Sequence, residues 1–99
     1  MRYNFEWDPV KASENLRKHG ISFESSADLM LDPLAVSLFD EEHSEGEERW
    51  VTIGRDSRGR VLVLVHTFSE ASSDEWTVRI ISARKATRRE ARDCEGFER

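Results

Sequence analysis

The chain has a single cysteine, Cys94. A disulfide framework within the chain is therefore excluded, and the expected compartment is a reducing cytoplasm. Cys94 has no partnered histidine in sequence, so nucleophilic thiol chemistry is not expected. Prolines are confined to Pro9 and Pro33, and the five glycines form neither a phosphate-cradling loop nor a dinucleotide fingerprint. A GxSxG nucleophile elbow is missing as well. No apolar run approaches the roughly 18 residues that span a bilayer. The opening Met1-Arg2-Tyr3-Asn4-Phe5-Glu6-Trp7 does not have the shape of a signal peptide. Without repeats, low-complexity tracts or a linker, residues 1–99 are expected to form one domain around one modest core.

Charge is abundant and segregated. Charged residues make up 35% of the chain against 37% apolar, and the apolar ones fall in periodic blocks, which predicts a folded domain with a heavily charged surface. The net charge of −5 argues against a general nucleic-acid coat protein. Between Ile21 and Glu48 there are nine acids and no Lys or Arg, whereas Trp76 to Arg92 holds six bases and one acid, Glu90. That separation predicts an acidic flank and a basic functional face.

Tyr3, Phe5 and Trp7 alternate with polar residues, as in a half-buried strand. Asp8-Pro9 opens a helix as N-cap and first helical residue, and Gly20 closes it after His19. Ala12, Leu16 and His19 share one face of that helix; Lys11, Asn15 and Lys18 share another. Ser22 caps a second helix whose Phe23, Ala27, Met30 and Leu31 are spaced as an amphipathic stripe, and Asp32-Pro33 ends it. A strand is predicted over Leu34 to Phe39, then a polar loop from Asp40 to Glu48 with six acids and His43. Strands follow at Arg49 to Gly54, Arg60 to Phe68 and Trp76 to Ala83. The first two are joined by the Asp56-Ser57-Arg58-Gly59 turn, and a polar turn covers Ser69 to Glu75. Arg60 to Phe68 is apolar on both faces and is expected at the centre of the sheet. Thr87-x-x-Glu90 is a capping box for a last helix with only Ala91, Cys94 and Phe97 to bury. The predicted order is β-α-α-β-β-β-β-α, an α+β fold with helices on one face of an antiparallel sheet.

Several residues are candidates for chemistry. Arg79 lies on the strand face opposite Trp76, Val78 and Ile80. Arg84, Arg88 and Arg92 would stack at helical spacing if the last helix began early. Guanidinium groups match phosphate oxygens bidentately, which suits a polyphosphate ligand such as RNA; a solvated face balanced by the acidic loop is the other reading. His19, at a helix C-terminus, is either a general acid or base or a capping residue at the edge of the core. His66 is either a buried hydrogen-bonded ring or the polar group of a concave site. His43 with Asp40 and Glu47 matches no metal-ligand spacing, so no metal is expected. Trp7, Trp50 and Trp76 are read as core or sheet-edge residues, with a stacking platform for a base as the alternative. If the basic cluster binds RNA, metal-free cleavage fits it. The ribose 2′-OH attacks the adjacent phosphate, and the protein supplies a base, an acid and cations for the phosphorane.

Four ordered pieces carry a family resemblance: Phe5-Glu6-Trp7-Asp8-Pro9 with Lys11; Asn15-Leu16-Arg17-Lys18-His19-Gly20 with Phe23; Glu48-Arg49-Trp50-Val51 with Ile53-Gly54; and Arg79-Ile80-Ile81-Ser82-Ala83-Arg84-Lys85-Ala86-Thr87 with Glu90. Together they resemble the BrnT family of toxins from type II toxin–antitoxin modules. The resemblance implies a RelE-like ribonuclease fold with two N-terminal helices packed on a twisted antiparallel sheet. It implies a metal-independent, cofactor-free endoribonuclease that slows translation and growth. It also implies a ribbon-helix-helix antitoxin of the BrnA type, a heterotetramer of two toxins and two antitoxins, and operator DNA contacted only through the antitoxin. Carried onto this chain, it points to Arg79 and Arg84 as catalytic cations. Lys18, His19 and His66 become candidates for proton transfer, and Arg49, Lys85 and Arg88 for phosphate contact. A non-catalytic toxin that survives as antitoxin-binding co-repressor is the alternative, because a fold does not establish an activity. Unaided DNA binding is disfavoured by the missing recognition helix and the negative net charge.

Overall fold

A computed structural model describes residues 2–42 and 46–96, with side chains given through Asp93. His43, Phe97 and the side chain of Cys94 lie outside the described set. The chain runs through β1 (Arg2–Glu6), α1 (Pro9–His19), α2 (Phe23–Ser26), a 3-10 helix (Ala27–Leu31), β2 (Val36–Asp40), β3 (Arg49–Arg55), β4 (Val61–Thr67), β5 (Ser69–Ser72), β6 (Glu75–Lys85) and α3 (Arg88–Gly96).

The helix boundaries follow the local chemistry. Asp8 Oδ1 accepts from the Val10 N–H at 2.8 Å, and Pro9 occupies the first turn where no N–H is needed. Gly20 adopts φ 72°, and its N–H returns to Leu16 O, the left-handed ending that glycine makes cheap. Ser22 Oγ caps α2 by accepting from the Ser25 N–H at 3.1 Å. The single second helix expected through Leu31 divides at Ser26, whose hydroxyl donates back to Phe23 O at 2.9 Å, and the chain tightens into 3-10 geometry. Asp32 then fixes the exit: its carboxylate accepts from the Leu34 N–H at 2.9 Å and from the Arg55 N–H at 2.8 Å. This delays β2 to Val36.

The strands form one six-stranded sheet in the order β1-β6-β4-β3-β2, with β5 also pairing β6. Two features differ from the expected meander. Residues 69–72, predicted as turn, form β5 against the start of β6. And β1 pairs β6 in parallel, Tyr3 beside Trp76 and Phe5 beside Val78, so the sheet is mixed rather than antiparallel. The two strands are separated by most of the chain, so no hairpin dictates their direction. As expected, β4 is interior, between β6 and β3. The predicted turn joins β3 to β4, with Gly59 at φ 80°. Beneath that turn Asp56 is buried and accepts from the Arg58 and Arg60 N–H groups and from Arg60 Nε. Burial alone would raise its pKa; the hydrogen bonds from Arg60 and Arg58 outweigh that and hold it below the usual value.

The core joins Ile21, Phe23 and Leu29 of the helical layer to Leu62, Leu64, Val78, Ile80 and Ala83 of the sheet. Of the two faces of α1, the one that carries Asn15 packs inward: Leu16 is 51% exposed and Asn15 is buried. The Asn15 amide donates to Ala83 O at 2.8 Å and Ile21 O at 2.9 Å, and its oxygen accepts from the Ala83 N–H at 3.1 Å. One side chain thus satisfies the strand edge of β6 beyond the end of β1, which a leucine cannot do. Stacking of Arg84, Arg88 and Arg92 along one helix is also corrected, because Arg84 belongs to β6 and α3 begins at Arg88. The capping box is formed as predicted. Thr87 Oγ1 accepts from the Glu90 N–H at 3.1 Å, and Glu90 Oε1 accepts from the Thr87 N–H at 2.9 Å.

Candidate nucleic-acid site

Strand register sorts the candidate residues onto two faces. Cross-strand partners share a face, so Trp50 and His66 lie together. Glu6 is the neighbour of Arg79 in the parallel β1–β6 pair. Arg49, half-buried, sits between Asp40 of β2 and Thr67 of β4. The β4–β6 pairing shifts between Val65 and His66: Val65 pairs Ser82 while His66 pairs Ile80, leaving Ile81 as the extra residue. That bulge re-aims the second half of β6.

Three cavities hold the chemistry. One, of about 400 Å³, is lined by Glu6, Glu47, Glu48, Thr67, Phe68, Ser69 and Arg79. Arg79 is ion-paired with Glu47 there. A second, of about 330 Å³, is lined by Ser37, Glu48, Trp50, His66, Phe68 and Trp76. Glu48 and Phe68 line both, so the two meet at one end of the sheet. A smaller cavity of about 170 Å³ lies between α1 and β6, lined by Lys11, Glu14, Asn15, Lys18, His19, Ile81 and Ser82.

His66 unites the two readings left open by the sequence. It is 1% exposed yet lines the second cavity. Its Nδ1 lies 3.0 Å from Thr67 O, and a carbonyl can only accept, so Nδ1 carries the proton. In the neutral ring Nε2 is then the acceptor for the Thr52 hydroxyl at 2.7 Å. The Thr52 oxygen in turn takes the proton of the Ser37 hydroxyl, also at 2.7 Å. Burial pushes the His66 pKa below the ordinary value, opposed by the bond to Thr67, so the ring is neutral at neutral pH. Both of its nitrogens are engaged.

The remaining basic residues separate. Arg84 makes a two-pronged contact with Glu90, Nη1 to Oε1 at 2.8 Å and Nη2 to Oε2 at 2.9 Å. The guanidinium of Arg84, with the Thr87 N–H, takes the Glu90 pKa down to about 2, and the same pairing raises that of Arg84. Lys85 and Arg88 are exposed at this strand-to-helix corner. At about 3.3 Å per residue, Arg79 and Arg84 are roughly 15 Å apart along β6. They therefore cannot grip the same phosphate while Glu90 holds Arg84. Lys18 and His19 lie between these points, beside Ser82. The structure thus sets Lys18 and His19 beside Ser82, sets Arg79 among carboxylates next to the cavity that His66 lines, and pairs Arg84 with Glu90 at a separate corner.

Sequence reasoning passed over Ser37 and Phe68, weighed Glu47 only as a metal ligand, quoted Glu48 only within a resembling piece, and read Trp50 and Trp76 chiefly as packing. Glu47 and Glu48 sit in the polar loop that holds six acids. The sequence-visible cue was their position just ahead of Arg49-Trp50. Among the described residues no group of three His, Cys, Asp or Glu side chains is placed to hold a metal ion. Nor is any described helix long and apolar enough to cross a membrane.

A family model described as "Ribonuclease toxin, BrnT, of type II toxin-antitoxin system" matches residues 7–90. Among solved structures, the chain is similar to the Brucella abortus ribonuclease toxin, BrnT, whose crystal structure was determined at 1.1 Å resolution. That similarity has a TM-score of 0.62 at 19% identity and covers 89% of this chain and 100% of the other. At that identity the likeness establishes the fold. Comparison with curated proteins gives no match.

Proposed function

The chain belongs to the BrnT family of ribonuclease toxins from type II toxin–antitoxin systems, and from that premise we propose that it is a metal-independent endoribonuclease of RelE-like type that slows translation and growth. The observation that carries this reading is Arg79, a guanidinium set in a cleft with the carboxylates of Glu6, Glu47 and Glu48. Cleavage through the 2′-OH needs a proton acceptor beside the ribose and a cation on the phosphorane. Arg79 supplies the cation. Glu48, an exposed carboxylate in the same cleft, is placed to accept the 2′-OH proton. We assign the return of a proton to the leaving 5′-oxygen to Lys18 and His19, whose cavity lies farther along β6. Arg84, Lys85, Arg88 and Arg49 hold flanking phosphates. His66, neutral and doubly hydrogen-bonded, positions its strand instead of moving protons. The incoming phosphate displaces Glu47 from Arg79.

A family of type II toxins implies an antitoxin partner. We assign it to the BrnA ribbon-helix-helix type, two copies with two toxins, repressing their own operon in the cytoplasm. Leu31, Leu34, Leu38 and Phe39 are exposed along the 3-10 helix and the β2 edge, inside the stretch with nine acids and no Lys or Arg. That surface suits a partner that is apolar with a basic rim.

The test is RNA cleavage by purified protein in EDTA. Arg79→Ala should lower kcat about 100-fold or more with unchanged far-ultraviolet circular dichroism. Arg84→Ala should act mainly on KM. If the wild-type protein cuts no RNA, with or without ribosomes, the catalytic reading fails. A non-catalytic co-repressor is favoured by one observation: Arg79 and Arg84 are both already paired, with Glu47 and Glu90. Expression without antitoxin separates the two, growth arrest supporting the toxin and normal growth with soluble protein the co-repressor.

A further inference from the structure

We propose that the cavity between β2, β3 and β6 is a nucleobase subsite that selects a base rich in N–H donors, guanine above all. The inference rests on the ribonuclease reading for the identity of its ligand as RNA. At about 330 Å³ the cavity falls in the size range of small-ligand sites. Its walls are Trp50, Trp76 and Phe68, with the last two rings 4.7 Å apart at centroid and inclined by 34°. Trp50 is buttressed by Phe39 at 5.3 Å. Aromatic walls of this kind stack any base. Trp76 and Arg79 project from opposite faces of β6, and the cavity and the Arg79 cleft meet around the end of the sheet, where Glu48 and Phe68 line both.

Selectivity comes from the hydroxyl relay. The Thr67 carbonyl fixes the proton on His66 Nδ1. Nε2 then takes the Thr52 proton, and Thr52 takes the Ser37 proton. Ser37 therefore has only oxygen lone pairs left to offer the cavity. Of the other polar groups of the lining, Glu48 is acceptor-only as a carboxylate, both His66 nitrogens are engaged, and the Trp50 and Trp76 indoles carry one N–H donor each. The Ser37–Glu48 edge of the cavity offers only acceptors, and that edge favours a base that donates. Guanine presents adjacent N1–H and N2–H donors, one for a Glu48 oxygen and one for Ser37 Oγ, which leaves the second Glu48 oxygen for the 2′-OH; uracil presents two carbonyl oxygens and one N–H. A site built this way discriminates because the wrong base leaves its polar groups unpaired.

The experiment uses uncleavable 2′-O-methyl tetranucleotides carrying one G, A, C or U among otherwise identical positions, with tryptophan fluorescence as readout on the full chain. The G probe should quench emission and bind at least tenfold more tightly than the U probe. Ser37→Phe, on an exposed edge-strand position, fills the cavity and should weaken the G probe about tenfold, the size of one lost stacking contact. Glu48→Gln exchanges an acceptor for a donor and should narrow or reverse the G-over-U preference. Equal affinity for all four probes with no effect of Ser37→Phe overturns the proposal. So does absence of RNA quenching where purified antitoxin quenches instead, which assigns the cavity to the protein partner. Because the probes cannot be cut, G-selective binding by a protein inert in the EDTA cleavage assay supports the subsite while the ribonuclease reading fails. Cleavage without base-dependent binding does the reverse.

Discussion

Replacing Asn15 by alanine is the sharpest test of how this chain holds its site together. Asn15 is 6% exposed, and its amide serves Ala83 O, Ile21 O and the Ala83 N–H. A net hydrogen bond contributes about 1 kcal/mol, and a buried group left without a partner costs about 1–3 kcal/mol. Asn15 also borders a cavity of about 170 Å³, so water can reach part of the vacated space and soften the loss. The expected cost of Asn15→Ala is about 3 kcal/mol, a large part of the stability of a domain this size. For such a domain, that corresponds to a fall in Tm of roughly 10–20 °C. Urea unfolding should show a lower midpoint at unchanged slope, since the surface exposed on unfolding hardly alters. Asn15→Asp adds a second arm. It keeps an acceptor for the Ala83 N–H but turns a carboxylate toward two carbonyl oxygens, so its folded pKa is raised. Relative to Asn15→Ala, it should gain stability as pH falls through that raised value, because the protonated acid can donate. A stability loss under about 0.5 kcal/mol for Asn15→Ala would refute the claim that this amide ties α1 to β6. In cleavage assays the loosened helix should also lower activity, since Lys18 and His19 are carried on its last turn.

Three further outcomes follow from the geometry. The Glu90 pKa is lowered to about 2 from 4.5, so its stabilising contribution is complete above about pH 4.5 and lost as pH falls toward 2. After discounting for partial exposure this is about 1–2 kcal/mol, and Glu90→Gln should remove that part of the acid limb in urea titrations at pH 5 to 2.5. His66 has a lowered pKa as well, so the stability it confers is full above its unfolded value near 6.5 and declines as pH drops below it. His66→Gln, which does not titrate, should flatten the stability profile below about pH 6.5. A Cβ at Gly54 would meet the Ala35 Cβ at 3.0 Å and Asp32 Oδ2 at 3.2 Å. Gly54→Ala should therefore cost about 1–2 kcal/mol, and the Gly54→Ala, Ala35→Gly double variant should recover part of it, measured as a double-mutant cycle.

The local punctuation of the fold was legible in the residues. Asp8-Pro9, Gly20, Ser22 and Thr87-x-x-Glu90 act through atoms a few positions away, so their spacing alone places the helix ends. The two apolar faces of Val61–Thr67 likewise require an interior strand. The charge segregation singled out Arg79, and the family resemblance named the class of protein. Long-range pairing was not legible. The parallel joining of β1 to β6 and the added strand β5 depend on backbone groups far apart in sequence, which carry no side-chain pattern.

For the site, the chain by itself determined which cations, histidines and aromatics were available, because residue type and local spacing are written in it. Only the tertiary structure decided their use. It buried Asn15 in place of Leu16, because a strand edge needs hydrogen-bonding partners that a leucine lacks. It engaged both nitrogens of His66 and paired Arg84 with Glu90. And it set Glu48 between the Arg79 cleft and a tryptophan-walled cavity, so that the acidic loop borders both. The physical reason is that charge and aromaticity belong to single residues, while protonation, pairing and enclosure belong to neighbours that only folding brings together.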